Sequence, residues 1–291
     1  MSRFGPFPAA GARWGRLRGR PSPVAGRRVL VTGASSGIGR ASALAFAAAG
    51  AEVLLVARRA DLLDTLVTEI EAAGGTARAF PADLTDPVAV QALVAAVPPG
   101  GVHYLVNNAG RSIRRSLSLS QDRFHDVERS MAINFTAPAR LTLALLPAMR
   151  AQGFGHVVNV VSWGVQLKAP KFSAYLASKT ALDTWSRVLA REERHHGIGV
   201  TNLRFGIVAT EMVAPTEAYA GRGLSVEAAA RQVLRACEER PVARGTVAGR
   251  VGEAVTLLAP RTVDWAFNLA HRRFGDSAAA RAGASGSSTR D

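Results

Sequence analysis

Short, wholly apolar segments alternate with helix-patterned ones along most of this chain, and a glycine-rich turn joins the first of each. Residues 27–33 (RRVLVTG) read as a strand running into that turn, and 37–50 (GIGRASALAFAAAG) as a helix closed by glycine. Strand patterns follow at 51–57, 76–81, 102–106, 156–161 and 200–205. Helix patterns lie between them at 61–73, 87–97, a long stretch to Met149 with a break before Asp122, and from Ser173 onward. Strands that are apolar throughout belong to a parallel sheet covered on both faces. With right-handed crossovers, the expected fold is a single α/β domain, a doubly wound Rossmann sheet with ligands at the strands' carboxyl ends. The domain is expected over 27–249, between a loose basic tail at 1–26 and a further tail at 275–291. Residues 206–240 are expected to form a lid, with a helix from Ser225 to Arg240 capped by Ser225, and 242–248 a last strand. The apolar, aromatic stretch 250–274 is expected as a C-terminal helical extension. It would pack on the core or a second subunit, or serve as a lid or a peripheral membrane contact.

The glycine turn carries the first functional signal. Thr32, Gly33, Ser35, Ser36, Gly37, Ile38 and Gly39 lie between a strand and a helix. There the backbone approaches a pyrophosphate closely, and the helix N-terminus supplies free N–H groups and partial positive charge. About twenty residues on, where an acid would bind the 2′-hydroxyl of NAD, stand Arg58 and Arg59. Arginine suits a 2′-phosphate, so the expected cofactor is NADP(H). Asp83 and Leu84, after the third strand, are placed for the adenine. Asn108, Ala109 and Gly110, after the fourth, are placed for the nicotinamide half.

The second signal is Ser162 at a strand's end, followed by Tyr175 and Lys179, which share a helix face at i and i+4. A free tyrosine titrates near pH ~10. A lysine ammonium one turn away favours the phenolate and lowers that value, which suits proton transfer to a carbonyl or from an alcohol. Ser162 would hydrogen-bond the same oxygen, and Trp163 is assigned to the substrate side.

Composition narrows the partners. The formal net charge of +14 invites nucleic acid, but residues 1–28 hold seven arginines and no acid, so half the excess is a tail. Basic and aromatic residues do not interleave as in single-strand binders, so no nucleic-acid partner is expected. Cys237 is the only cysteine, which excludes an intrachain disulfide and fits a reducing cytoplasm. It falls in a predicted outer helix, poorly placed for a nucleophile. No uninterrupted apolar run approaches the ~18 residues of a membrane span. The six histidines show no metal-ligand spacing backed by carboxylates, so no metal is expected.

Together TGASSGIG (32–39), Asp83, NNAG (107–110), Asn134, Ser162 and Tyr175-x-x-x-Lys179 resemble the short-chain dehydrogenase/reductase family over roughly residues 27–215. The resemblance implies Tyr175 as acid/base and Ser162 as the group that polarises the carbonyl. It implies Lys179 on the nicotinamide ribose, Asn134 anchoring a proton-relaying water, and a homo-oligomer. The family's Pro-Gly after the sixth strand is here Phe205-Gly206, followed by Ile207, Val208 and Thr210, which would meet the nicotinamide amide. A narrower likeness, in NNAGRSIRRSL, DRFHDVERSM, KFSAYLASKTALD, VAPT (213–216), LLAP and DSAAA, is to bacterial aldehyde-forming fatty acyl-CoA reductases. It implies hydride transfer from NADPH to an acyl thioester. Arg111, Arg114 and Arg115, just after NNAG, would suit the phosphates of CoA or form a solvated basic loop. The alternatives are another lipophilic carbonyl as substrate, such as a keto lipid, steroid or quinone, or a non-catalytic nucleotide-sensing protein.

Overall fold

A computed structural model describes residues 21–212, 223–273, 275–276 and 280–281. Of the expected loose tail at 1–26, residues 1–20 lie outside the described residues, as does the VAPT stretch at 213–216; residues 21–26 are not loose, since Val24 is buried and Ser22 Oγ donates to Glu238 at 2.8 Å.

All the predicted strands form, in a parallel seven-stranded sheet of order β3-β2-β1-β4-β5-β6-β7. They are β1 (Arg28–Thr32), β2 (Glu52–Ala57), β3 (Thr76–Pro81), β4 (Tyr104–Asn107), β5 (Gly155–Ser162), β6 (Ile198–Phe205) and β7 (Ala243–Gly245). The order reverses between β1 and β4, which opens a crevice at their carboxyl ends. On one face, α1 (Gly37–Ala48), α2 (Ala60–Ala72) and α8 (Val226–Glu239) bury Phe46, Leu63, Leu66 and Val233 against Val29, Val31, Val53 and Leu55. On the other, α3 (Pro87–Ala95), α5 (Ala137–Ala151) and α7 (Ser173–Glu192) cover Leu30, Leu54, Val56 and Leu105 with Val90, Leu141, Leu145 and Leu189. Successive strand residues thus serve opposite cores, which is why these strands read as unbroken apolar runs.

Local signals set several helix starts. Asp86 caps α3, accepting from the Val88 N–H at 2.9 Å, with Pro87 at the first helical position. Ser225 caps α8 as expected, accepting from the Ala228 N–H at 3.2 Å. The helical region before Met149 divides into α4 (Phe124–Met131), a π-turn over Ala132–Thr136, and α5. A four-residue helix, α6 (Gly164–Leu167), follows Ser162.

Three expectations change. Residues 226–239 of the expected lid are α8, a core helix with Val233, Ala236 and Cys237 fully buried. Cys237 lies on the inner side of this sheet-covering helix; burial raises its thiol pKa well above the usual value, so it stays a protonated packing group. The last strand is shorter than 242–248, because α9 (Val247–Leu258) begins early, capped by Thr246. With α10 (Pro260–Arg273) it forms the expected C-terminal helical extension. The tail expected from 275 is not wholly loose, since Asp276 is bonded to the body of the domain and Ala280 is buried.

A polar ladder crosses the sheet's centre. Asn107, Asn159 and Asn202 stand in register on β4, β5 and β6. Asn107 Nδ2 donates to Asn159 Oδ1 at 2.9 Å, and Asn159 Nδ2 to Asn202 Oδ1 at 3.0 Å. Asn202 Nδ2 then donates to Asp183 Oδ1, which is ion-paired with Arg204. The chain is open at one end, where Asn107 Oδ1 is buried without a partner, but its linked amides fix the strand register beneath the site.

His156, fully buried on β5, contacts the Thr201 hydroxyl at 3.0 Å. Burial, and then the charge of Arg240, push its pKa down to about 3. An unfolded histidine titrates near ~6.5. Below that value the unfolded chain takes up a proton that the fold refuses, so stability is lost as pH falls from ~6.5 towards 3, at up to about 1.4 kcal/mol per pH unit. His156→Gln should therefore show a shallower loss of stability than the parent between neutral and mildly acidic pH, measured by urea unfolding. Equal slopes would contradict this reading.

Candidate active site

The crevice at the carboxyl ends of β1, β2, β4 and β5 is a cleft of about 770 Å³. Its lining brings together most of the residues singled out in the sequence. Gly33, Ser35, Ser36, Gly37 and Ile38 form its floor, Arg58 and Arg59 one end with Asp83 and Leu84, and Asn108, Ala109 and Gly110 the middle. Ser162, Tyr175 and Lys179 stand at the other end, near Arg111, Val208 and Thr210.

The floor has the features a diphosphate needs. Ser36, the N-cap of α1, makes no side-chain cap, and the first turn carries no acid, so the helix N–H groups there are not claimed by a side chain. Thr32 and Gly39 do not line the cleft but shape it. Thr32 Oγ1 donates to Val106 O at 3.1 Å and accepts from the Asn108 and Ala109 N–H groups at 2.9 and 3.0 Å, which locks the ends of β1 and β4 together. A Cβ on Gly39 would lie 2.1 Å from Gly33 O and 2.6 Å from Asn108 Nδ2, so only glycine lets α1 approach the strand end. Arg59 donates to Ser35 Oγ at 3.0 Å, and both arginines after β2 are exposed towards solvent. Hydrogen bonds from the Thr85 side chain and backbone hold Asp83 below the usual carboxylate pKa, helped by Arg58.

At the opposite end, the Ser162 hydroxyl accepts from the Gly164 N–H at 3.1 Å and is hydrogen-bonded to Tyr175. The structure corrects the expected cause of the tyrosine's titration. Protein atoms crowding the phenol raise its pKa, though part of the ring faces the cleft, and the contact that lowers it comes from Ser162. Lys179 donates from Nζ to Val160 O at 2.9 Å. Burial brings its pKa down to about 8, which leaves it charged at neutral pH. The site therefore presents a protonated phenol beside a buried cation.

Asn134 sits fully buried in the π-turn, the one-residue bulge such turns insert at functional positions. Its Nδ2 donates to Arg111 O at 2.8 Å and Ser178 Oγ at 3.0 Å, and its Oδ1 accepts from the Arg111 N–H at 2.9 Å. A Cβ on Gly110 would lie 2.8 Å from Asn134 Oδ1 and 3.2 Å from Lys179 Nζ, so these two side chains converge on one point.

Seven predicted site residues do not line the cleft: Thr32, Gly39 and Asn134, described above, and Arg114, Arg115, Trp163 and Ile207. Arg115 is ion-paired with Asp126 and donates its backbone N–H to Lys171 O at 2.7 Å, so it braces the loop instead. Arg114 lies near Asp276, and the Ile207 carbonyl accepts from the Leu224 N–H at 2.9 Å. Trp163 packs beside Gly206, its backbone N–H bonded to Phe205 O at 2.8 Å. Sequence reading missed Arg129 and Ile133, which line the cleft at i and i+4 and could have been found from that spacing ahead of Asn134. Among the described residues no cluster of three His, Cys, Asp or Glu side chains offers a metal site, and no helix is long and apolar enough to cross a membrane.

Comparison with known proteins defines the class. The family model for short chain dehydrogenase matches residues 27–220, and the chain belongs to that family of oxidoreductases. It is 46% identical over 258 residues to a fatty acyl-CoA reductase of Mycobacterium tuberculosis, covering 87% of each chain. It is 43% identical over 260 residues to a fatty acyl-CoA reductase of Acinetobacter baylyi, covering 88% of each. Among solved structures, L-sorbose reductase from Gluconobacter frateurii, crystallised with NADPH and L-sorbose, superposes with a TM-score of 0.71 at 26% identity, over 77% of this chain and 95% of that one.

Proposed function

We propose that this oxidoreductase uses NADP(H) to reduce the thioester of a long-chain fatty acyl-CoA, releasing a fatty aldehyde and free CoA. The observation that carries the substrate is the likeness, over 87% and 88% of two chains, to proteins named fatty acyl-CoA reductases. Joined to it is a cleft with a hydroxyl pair at one end and its only cysteine buried elsewhere.

The residues present fit the dinucleotide. The unclaimed N–H groups of α1 and the close backbone at Gly39 would take the pyrophosphate, and Arg58 and Arg59 a 2′-phosphate. Lys179 would hold the nicotinamide ribose. The nicotinamide, when bound, supplies the hydride. The chain's own part is electrostatic. Ser162 and Tyr175 donate hydrogen bonds to the substrate oxygen as it gains negative charge. A phenol kept protonated by crowding is the donor this needs, and the Ser162 hydrogen bond, which lowers the Tyr175 pKa, favours the phenolate left when the proton moves. When the carbonyl re-forms, the carbon–sulfur bond breaks and the thiolate departs, so no protein nucleophile is required.

Two experiments address this. Palmitoyl-CoA with NADPH should yield hexadecanal by mass spectrometry; turnover of ketones with no aldehyde from the thioester would contradict the substrate. For the cofactor, changing Arg58 and Arg59 together to Gln should raise the Kd for NADPH by about 10- to 100-fold, as loss of charge-assisted phosphate contacts implies. NADH affinity should stay within about threefold. An equal change for both cofactors would remove the arginines from phosphate selection.

A further inference from the structure

The loop after Gly110 is held at both ends. Arg111 is pinned to Asn134 through both its N–H and its carbonyl. Five residues on, the buried Ser116 donates its N–H to Asp276 Oδ1 at 3.0 Å, a contact spanning 160 positions of sequence. Asp276 is itself secured, because Arg281 donates to its carbonyl from Nε at 3.1 Å and from Nη2 at 2.8 Å, next to buried Ala280. The neighbouring Arg115 is tied to Lys171 O, on the loop between Ser162 and Tyr175, and to Asp126. Three stretches distant in sequence therefore meet on the loop that begins at Arg111, which lines the cleft. The charges there are balanced: burial alone would raise the Asp276 pKa, but Ser116, Lys171 and Arg114 outweigh it and hold the carboxyl below its usual range. Asp276 stays ionised at neutral pH.

We propose that Asp276 is a positioning residue for substrate, a C-terminal clasp that closes the 111–116 loop and so fixes where the cleft-lining Arg111 and the neighbouring Arg114 stand. The clasp acts through the loop and touches neither the dinucleotide floor nor Tyr175, so it governs affinity for the carbonyl substrate and not for the cofactor. Asp276→Ala leaves the buried Ser116 N–H without its acceptor; Asp276→Asn keeps an acceptor oxygen while removing the charge.

The test has two arms, and only the kinetic one rests on the acyl-thioester reading. With palmitoyl-CoA, Asp276→Ala should raise KM by about tenfold, the worth of one buried hydrogen bond to a charged group. It should change kcat and the Kd for NADPH by less than about threefold, and Asp276→Asn should recover most of the KM. In the second arm, hydrogen exchange on the NADPH-bound protein should show faster exchange at the Ser116 amide and through 112–120 in the alanine variant, with β4 and β5 unchanged. If the parent protein turns over no acyl-CoA, the functional reading fails while the exchange arm still decides the clasp. Unchanged exchange at Ser116 overturns the proposal. So does a KM that rises in step with the Kd for NADPH, with exchange increased throughout the chain, because that pattern is general loss of stability.

Discussion

Replacing Tyr175 with phenylalanine should lower turnover by roughly two to four orders of magnitude, the usual worth of a positioned proton donor, and leave NADPH affinity within about threefold. The phenol is hydrogen-bonded to Ser162, and Lys179 lies one helical turn beyond it. Phenylalanine keeps the ring and its contact with Phe172, whose ring centroid is 6.2 Å away, so the helix is not disturbed. What disappears is the O–H that would meet charge building on the substrate oxygen. Fluorescence titration of NADPH beside steady-state rates separates the two effects. A variant that keeps more than a tenth of the parental kcat would show that Tyr175 is not the proton donor.

Gly39→Ala is the more drastic change, although it adds one carbon. Its Cβ would meet Gly33 O, the Gly33 carbonyl carbon and Asn108 Nδ2 at 2.1, 2.7 and 2.6 Å. Asn108 Nδ2 is already committed to Thr32 O at 2.9 Å, so the amide cannot swing away without breaking the bond that joins β1 to the end of β4. Backbone has to move at the junction where α1 offers its N–H groups. Forced overpacking costs about 1–3 kcal/mol and more where backbone is the obstacle. We expect a loss of about 3 kcal/mol, a fall in Tm on the order of 10 °C, and NADPH binding weakened by at least about a hundredfold. A variant with the parental Tm and Kd would mean that the strand-to-helix turn is looser than the geometry implies.

The strands were legible because burial on both faces of the inner strands leaves them mostly apolar, and this made the sheet, the cleft and its dinucleotide floor readable together. The site pair was legible because helical spacing puts Tyr175 and Lys179 on one face. Other features depend on contacts that no local pattern records. The π-turn holding Asn134 differs from plain helix only by a shift in backbone hydrogen bonding. Asn159 and Asn202 look like blemishes in apolar runs until strand register aligns them with Asn107. The helix bearing Cys237 buries mainly small residues (Ala229, Ala230, Ala236 and Cys237 beside Val233), which carry a weak sequence signal yet pack closely on α1. Asp276 lies far along the chain from Ser116, and its composition-poor surroundings read as tail. The arginines after Gly110 looked like one cluster, but ion pairing with Asp126 takes Arg115 out of it.

The most direct measurement is to follow NADPH oxidation and free thiol together after palmitoyl-CoA is added to the purified protein. The account predicts that thiol appears as NADPH is consumed, that neither changes without the other, and that Tyr175→Phe abolishes both. NADPH oxidised only with free aldehydes or ketones, and no thiol released from the acyl-CoA, would contradict the thioester as substrate.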